Sequence, residues 1–413
     1  MVPARGAAYL PIARRQPRTG MAGHATHIFK LALFAFLCFT GAHVRHAKAS
    51  VESAEDQQFG TAEHARPYGL VRICFATTRN RLEDHLDRKR SIAHFGTGRA
   101  DVLTFGCHIV SYPLDAPMGH FAIAPVGDDG FIKLEDRKDH YAIYSSEVLS
   151  LSVFQDRVYQ ETREGRLTVD VHGFNTTHEQ AILHAAQLWN ASSKHVPIIV
   201  FDFSSLGELS GYIHDLDSVR HAQRHFSAFI NCLGRVAAFV DIRAHSMGAS
   251  LVLPGLLLAQ FEREVRPPVI DNILLAAPAI DHDNFQDALQ HLDGTVSSVL
   301  VYCSPSDRAL SSAAQFHHAP LVGHCFADMD AAPTLFKTRL DMINVTTLST
   351  CGLFDNFRAP FSCWHNWHRT STHMLIDANL YLAGNIRPEA RGGLFKLVWS
   401  SRMVRSWHAR QIN

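Results

Sequence analysis

A serine with small neighbours, Ser246 in the run AHSMGA (244–249), is the first candidate for nucleophilic chemistry. One apolar stretch precedes it and another follows, so we expect Ser246 on a sharp turn between a strand and a helix. Such a turn packs against the sheet and needs small residues two positions away on each side, which Ala244 and Gly248 provide. The turn would expose the Ser246 hydroxyl and point the Met247 backbone N–H toward a developing oxyanion. The alternative is a serine that only caps a helix.

A second motif, VHGFN (171–175), follows another apolar run and fits the loop that completes an oxyanion hole. Gly173 permits the turn that would present the Phe174 backbone N–H to an acyl oxygen. His172, and His245 beside the serine, are further polar members of the two motifs. Together the motifs predict attack on an acyl carbonyl with two backbone donors for the oxyanion.

A nucleophilic serine of this kind needs an acid and a histidine base, which follow it along the chain in that order. Asp307 follows a late strand-like run and is the preferred acid; Asp281, after the preceding run, is the alternative and would otherwise be a loop or N-cap carboxylate. For the base we predict His373, because it directly precedes a helical stretch after the final strand-like run. His365 and His368 are nearby candidates that we expect to face solvent.

The sequence predicts neither a metal nor an organic cofactor. The histidines of HNWH (365–368) lack acidic or cysteine partners at metal-ligand spacing, and the chain has no CxxC pattern. Seven cysteines follow residue 49, an odd number. In an oxidising compartment some of them would pair, and at least one thiol would stay free or pair between chains.

The elements that must position these residues alternate between short apolar runs and helix-length amphipathic segments from residue 167 onward. This alternation is typical of βαβ units and predicts an α/β fold with a mostly parallel sheet and helices on both faces. Two earlier apolar runs, 71–76 and 107–112, predict an antiparallel strand pair. We therefore expect residues 68–386 to form a domain with its chemistry at the carboxyl ends of its strands.

Five runs carry a resemblance to a known family: VDVHGFNTTHEQA (169–181), RAHSMGASLV (243–252), LLAAPAIDHDNF (274–285), VYCSPSDRAL (301–310) and THMLIDANLYL (372–382). They resemble a family of largely uncharacterised bacterial esterase/lipase-like α/β hydrolases. The resemblance implies the α/β-hydrolase fold, hydrolysis of small-molecule or lipid carboxylic esters through an acyl-enzyme, and a triad of Ser246, Asp307 and His373. An acyltransferase with the same triad and a non-catalytic binding protein on this scaffold are the alternatives.

Two charged residues depart from the family's pattern. Asp170 occupies a strand position that is usually apolar, and Arg243 lies in the strand before the serine turn. An unpaired charge is costly to bury, and an ion pair between these two residues across neighbouring strands would remove that cost. The sequence leaves open whether the pair forms.

The two ends of the chain are basic and the body between them is acidic. Residues 1–49 carry seven Lys or Arg and no acid, and residues 387–413 carry six with one Glu, which leaves the body with a net charge of −12. Because a phosphate-binding face needs a basic surplus, no nucleic-acid partner is expected. The composition, 46% hydrophobic and 19% charged, is that of a globular chain and excludes a disordered one.

The basic N-terminal end suggests a targeting signal, and the basic C-terminal end suggests contact with the domain or with a membrane surface. Residues 1–49 contain a basic start, an apolar run and a final Ala-Lys-Ala, a pattern that predicts an export signal. We therefore expect a periplasmic or extracellular protein, either free or associated with a membrane. The tail, 387–413, mixes aromatic and basic residues. We expect it to dock on the domain, to be disordered, or to make peripheral contact with a membrane as an amphipathic helix.

Overall fold

A computed structural model of the chain describes residues 67–82, 93–125, 136–162, 165–192, 196–261, 268–325, 338–348, 365–384, 386–391, 395–400 and 404–409. All of them belong to the compact unit Val51–Asn413. The predicted signal segment, 1–49, lies outside the described residues.

The sheet begins with three antiparallel strands. β1 (Tyr68–Arg81) pairs with β2 (Phe95–Pro113), and β2 pairs with β3 (Ala142–Leu149). Cys74 and Cys107 face each other in the β1–β2 register and form a disulfide. The antiparallel strand pair predicted at the start of the domain is therefore confirmed.

Strands and helices then alternate, as the apolar runs predict. Their order is α1 (Leu151–Glu161), β4 (Arg166–Val171), α2 (His178–Ala191), β5 (Ile198–Asp202), α3 (Tyr212–Leu233), β6 (Phe239–His245), α4 (Ala249–Phe261), β7 (Val269–Ala276), α5 (His282–Leu292), β8 (Val296–Cys303), α6 (Arg308–His317), β9 (Arg339–Asn344), α7 (Trp367–Thr370), α8 (Thr372–Gly384), β10 (Phe395–Ser400) and β11 (Val404–Ala409).

The described strands form one eleven-stranded sheet in the order β10-β11-β9-β8-β7-β6-β4-β5-β1-β2-β3. Every neighbouring pair from β11 across to β1 is parallel. The pairs at the two edges are antiparallel. Because parallel strands end at the same edge of a sheet, the loops that follow β4, β5, β6 and β8 meet there.

Helices cover both faces of this sheet, because two adjacent residues of β5 pack against helices on opposite faces. Val200 packs in a buried cluster that includes Ala185 of α2. Phe201 points to the opposite face, where its ring lies 5.0 Å from Phe226 and 5.4 Å from Phe229 of α3, between centroids. The predicted fold class is confirmed.

Part of the C-terminal tail belongs to the sheet, which corrects the domain boundary predicted at residue 386. β10 and β11 extend the sheet beyond β9, so these residues form strands rather than an amphipathic helix. Arg391 is fully buried, donates to Asp377 at 2.7 Å and lies 5.2 Å from the Tyr381 ring centroid. The membrane contact of this tail stays a prediction. Within the described ranges, no helix has the length and apolar character needed to span a membrane.

Candidate active site

Ser246 lies on the strand-to-helix turn that the sequence predicts. It follows the last residue of β6 directly, and a single 3₁₀ turn, Ser246–Gly248, separates it from α4. Its φ is 52°, in the left-handed region that residues other than glycine rarely adopt. A strained backbone at such a turn is the geometry of a nucleophile elbow, which lifts the serine hydroxyl out of the sheet.

Two glycines allow the elbow to pack against its neighbours. A Cβ atom on Gly248 would lie 2.6 Å from the His172 carbonyl oxygen. A Cβ atom on Gly173 would lie 2.9 Å from the Ser246 Cβ and 3.0 Å from His245 Nδ1. Neither position has room for a side chain, so both motifs need their glycine, and the Gly173 loop lies directly against the serine.

Phe174 and Met247 hold the two backbone donors predicted for an oxyanion hole. Among the described residues, no group accepts a hydrogen bond from the Phe174 N–H. Met247 lies in the 3₁₀ turn that leads into α4, where backbone N–H groups lack partners within the helix. Both donors are therefore placed on segments that border Ser246.

Asp307 caps α6 with one carboxylate oxygen and binds a histidine with the other. Oδ1 accepts from the Leu310 N–H at 3.0 Å, and Oδ2 accepts from His365 Nδ1 at 2.6 Å. Because an ionised carboxylate can only accept, Nδ1 carries the proton and Nε2 keeps its lone pair. Asp307 is fully buried, whereas the His365 side chain is 13% exposed and lines a cavity. His365 thus has the arrangement of a general base held by an acid.

His365 takes the place that the sequence analysis gives to His373. His373 is the second residue of α8, and no described contact joins it to Asp307. His365 rather than His373 meets Asp307 because Trp367 anchors the neighbouring segment. Trp367 is 2% exposed and packs edge-on against Tyr302 of β8, with 6.0 Å between the ring centroids. This packing holds the segment around His365 at the carboxyl edge of the sheet.

Asp281, the alternative acid, is a helix cap. It is the N-cap of α5, and its Oδ1 accepts from the Asn284 N–H at 3.0 Å. No hydrogen bond in the described part of the chain joins it to a histidine. Of the two candidate acids, Asp307 is the one that binds a histidine ring.

The His245 ring packs against both His365 and His368, and His368 is only 5% exposed, so the expectation that His368 faces solvent is wrong. The His245 ring lies 4.7 Å from the His365 ring and 4.0 Å from the His368 ring, between centroids. Burial, reinforced by the neighbouring histidine, lowers the pKa of both His245 and His368 well below the usual value. Both rings are therefore uncharged at neutral pH.

A buried network that the sequence analysis missed holds the Gly173 loop. Asp202, the last residue of β5, accepts from Arg79 Nε at 2.9 Å, His172 Nε2 at 2.9 Å and His178 Nδ1 at 2.7 Å. Burial alone would raise the pKa of Asp202, but Arg79 and the two histidine hydrogen bonds hold it well below the usual value. His172 Nδ1 in turn lies 2.8 Å from the Gly173 carbonyl oxygen. The network therefore orients the predicted oxyanion loop.

Asp170 and Arg243 form the ion pair that the sequence analysis left open. They are register partners on β4 and β6, and Arg243 Nη1 lies 3.2 Å from Asp170 Oδ1. Both side chains are buried and line the cavity beside His365. Each charge is thus compensated by the other.

The cavity has a volume of about 580 Å³ and is lined by His245 and Gly173, which adjoin Ser246. Its walls include Gly173, Phe174 and His365. In the part of the chain that the structure describes, no group of three or more His, Cys, Asp or Glu could hold a metal ion.

The parallel sheet, the strained serine elbow and the buried Asp307–His365 pair define the class as α/β hydrolases. The family described as alpha/beta hydrolases of unknown function (DUF900) matches residues 150–356, half of the chain, and the chain belongs to this family. Membership supports a hydrolase-type function. The matched range includes Ser246 and Asp307 and ends before His365. No curated protein matches the chain.

Proposed function

We propose that the protein is a serine hydrolase of carboxylic esters, in which Ser246 is the nucleophile, His365 the general base and Asp307 its orienting acid. The observation that carries the proposal is the 2.6 Å hydrogen bond from His365 Nδ1 to a fully buried carboxylate, at the wall of a cavity beside the elbow. His365 replaces His373 in this proposal because it is the ring that Asp307 binds.

The reaction follows from the atoms that each residue offers. His365 Nε2 takes the proton of Ser246 Oγ as the oxygen attacks the acyl carbonyl, and Asp307 stabilises the imidazolium that forms. The N–H groups of Phe174 and Met247 would bind the oxyanion of the tetrahedral intermediate. His365 then protonates the leaving alcohol and activates the water that releases the acyl group. No described hydrogen bond involves Ser246 Oγ, in keeping with catalytic bonds that tighten only around substrate.

The apolar part of the cavity supports an ester with a hydrophobic portion, from either a small molecule or a lipid. The Tyr212 ring stacks on Phe316 at 5.1 Å and meets Phe174 at 5.2 Å, between centroids. These rings, together with Leu209, form a cavity wall suited to alkyl or aryl groups.

An ester panel tests the proposal. The chain is assayed with p-nitrophenyl esters of increasing acyl length, with and without an alcohol acceptor, beside Ser246→Ala and Ser152→Ala. Ser152 is exposed on α1 and serves as the matched control. We expect hydrolysis that Ser246→Ala abolishes and Ser152→Ala does not change. Turnover that rises only with the alcohol would make the protein an acyltransferase, and activity in Ser246→Ala equal to that of the unmodified chain would contradict the proposal.

We further propose that the protein is exported. Two disulfides, Cys74–Cys107 and Cys303–Cys325, support this, because structural disulfides persist in oxidising compartments. N-terminal sequencing of the protein recovered outside the cytoplasm should find cleavage after Ala49. Recovery of the uncleaved chain from the cytoplasm alone would contradict export.

A further inference from the structure

The cavity that His245 and His365 line has a second wall that is polar and cationic. It is formed by Asp170, Arg243 and Arg369 with the rings of His184 and His368. The His245 ring connects this wall to the proposed base, since it contacts the rings of both His368 and His365. A substrate that fills the cavity therefore meets both the aromatic wall and this cationic wall.

The charges of the cationic wall do not balance. Of the residues that line the cavity, those with a formal charge are Asp170, Arg243 and Arg369. Asp170 pairs with Arg243 at 3.2 Å. Among the described residues, no carboxylate lies within ion-pair distance of Arg369, which contacts the His184 ring and lies 6.0 Å from the Phe121 ring centroid. One positive charge is left over in the cavity wall.

The neighbouring His184 ring is neutral and does not change the net charge of this wall. Burial and the positive charge of Arg369 lower the pKa of His184 well below its usual value, so that its ring is neutral near pH 7. Burial and Arg243, opposed by the weaker effect of Asp170, lower the pKa of Arg369 to about 10, which still leaves the guanidinium charged at neutral pH. A partly desolvated cation without a counter-charge is costly, and a bound anion removes that cost.

We propose that Arg369 is the anchor of an anion subsite, and that the ester substrate carries a negatively charged group, a carboxylate or a phosphate, in addition to its apolar portion. The inference rests on the proposed function, because the subsite selects a substrate only if the protein hydrolyses esters. The planar guanidinium offers parallel N–H donors that match either anion. Arg243 already has Asp170 as its ion-pair partner, so the subsite is centred on Arg369.

Matched ester pairs test the subsite. Each pair has the same scissile ester and chain length, and one member ends in a methyl group while the other ends in a carboxylate or a phosphate, on the acyl or the alcohol side. The readout is the ratio of kcat/KM for the charged ester to that for the neutral one. Arg369→Gln removes the charge, Arg369→Lys keeps it, and Arg235→Gln is the control because Arg235 is exposed and does not line the cavity.

We expect the unmodified chain to favour at least one charged ester, and Arg369→Gln to lower the ratio about 10- to 100-fold, mainly through KM. Arg369→Lys should recover part of the ratio, and Arg235→Gln should leave it unchanged. The charged ester that responds identifies the anion as carboxylate or phosphate. A ratio that Arg369→Gln leaves within about twofold for every pair would overturn the proposal.

A binding measurement separates this inference from the catalytic proposal. Ser246→Ala, with and without Arg369→Gln, is titrated with glutarate and with inorganic phosphate and followed by thermal shift. We expect one of the two anions to raise the melting temperature of the protein that keeps Arg369, less so at high salt, and not that of the double variant. Equal shifts in both proteins, or none in either, would overturn the subsite. A chain that hydrolyses no ester but shows the expected shift would contradict only the proposed hydrolysis.

Discussion

Replacing Asp202 with Asn removes the negative charge that several donors share at the carboxyl end of β5. The carboxylate is fully buried and accepts from Thr77 Oγ1, Arg79 Nε, His172 Nε2 and His178 Nδ1. Asn would keep one acceptor oxygen but turn an NH₂ group toward these donors. The Arg79 guanidinium, which is 2% exposed, would lose its counter-charge.

The size of the loss follows from that burial. Breaking a buried ion pair by removing one partner typically costs about 3–5 kcal/mol, because a desolvated charge is left behind. With an unfolding entropy of roughly 2.1 cal/mol/K per residue, a change of about 1 kcal/mol shifts the melting temperature of a domain of about 340 residues by roughly 1.4 °C. For Asp202→Asn we therefore expect a fall of roughly 4–7 °C.

Urea unfolding and thermal melts measure this effect, with Asp287→Asn as the control. The Asp287 side chain is 66% exposed, and its loss should change the free energy of unfolding by less than about 0.5 kcal/mol. The pKa of Asp202 is held below its unfolded value of about 3.9, so its contribution is present above that pH and is lost as the pH falls further. Asp202→Asn should therefore flatten the acid side of the stability profile. A loss below about 1 kcal/mol, or an unchanged acid slope, would refute this reasoning.

Three further predictions concern catalysis and use the same ester assay. His365→Ala should lower kcat by about 10³-fold or more, because the base is removed, whereas His373→Ala should leave kcat within about twofold; the reverse ranking would return the base to α8. Asp307→Asn should lower kcat by at least about 10²-fold with little change in melting temperature, while Asp281→Asn, which remains a good helix cap, should change kcat by less than about twofold. Equal losses in the two variants would count against Asp307 as the acid. Gly173→Ala should lower kcat by about tenfold or more, because its Cβ would lie 2.9 Å from the Ser246 Cβ; an unchanged kcat would show that the loop does not position the oxyanion donors.

Local patterns were sufficient to predict the strands and helices and the proposed nucleophile. The serine turn is defined by residues within a few positions of Ser246, and the alternation of apolar runs is a local property of the chain. Asp307 could also be predicted, since it directly follows a strand. The sequence therefore predicts the parallel sheet and two of the three proposed catalytic residues.

The remaining site residues depend on packing between distant segments. His365 is the base in our proposal because Trp367 packs against Tyr302 far along the chain, and no local pattern encodes that contact. The Asp202 network joins residues of β1, β5 and α2 with His172, which directly follows β4, and its members are separated by up to 125 positions. An aspartate at the end of a buried strand, as in VFD (200–202), was the available signal, but it does not reveal which donors will meet it.

Covalent labelling of the nucleophile tests the central claim most directly. A fluorophosphonate probe reacts with a serine only where a base activates it, and digestion followed by mass spectrometry locates the label. The account predicts a single labelled residue, Ser246, with labelling that is abolished in Ser246→Ala and greatly slowed in His365→Ala. Label on a different residue, or an unlabelled chain that keeps its native fold, would contradict the account.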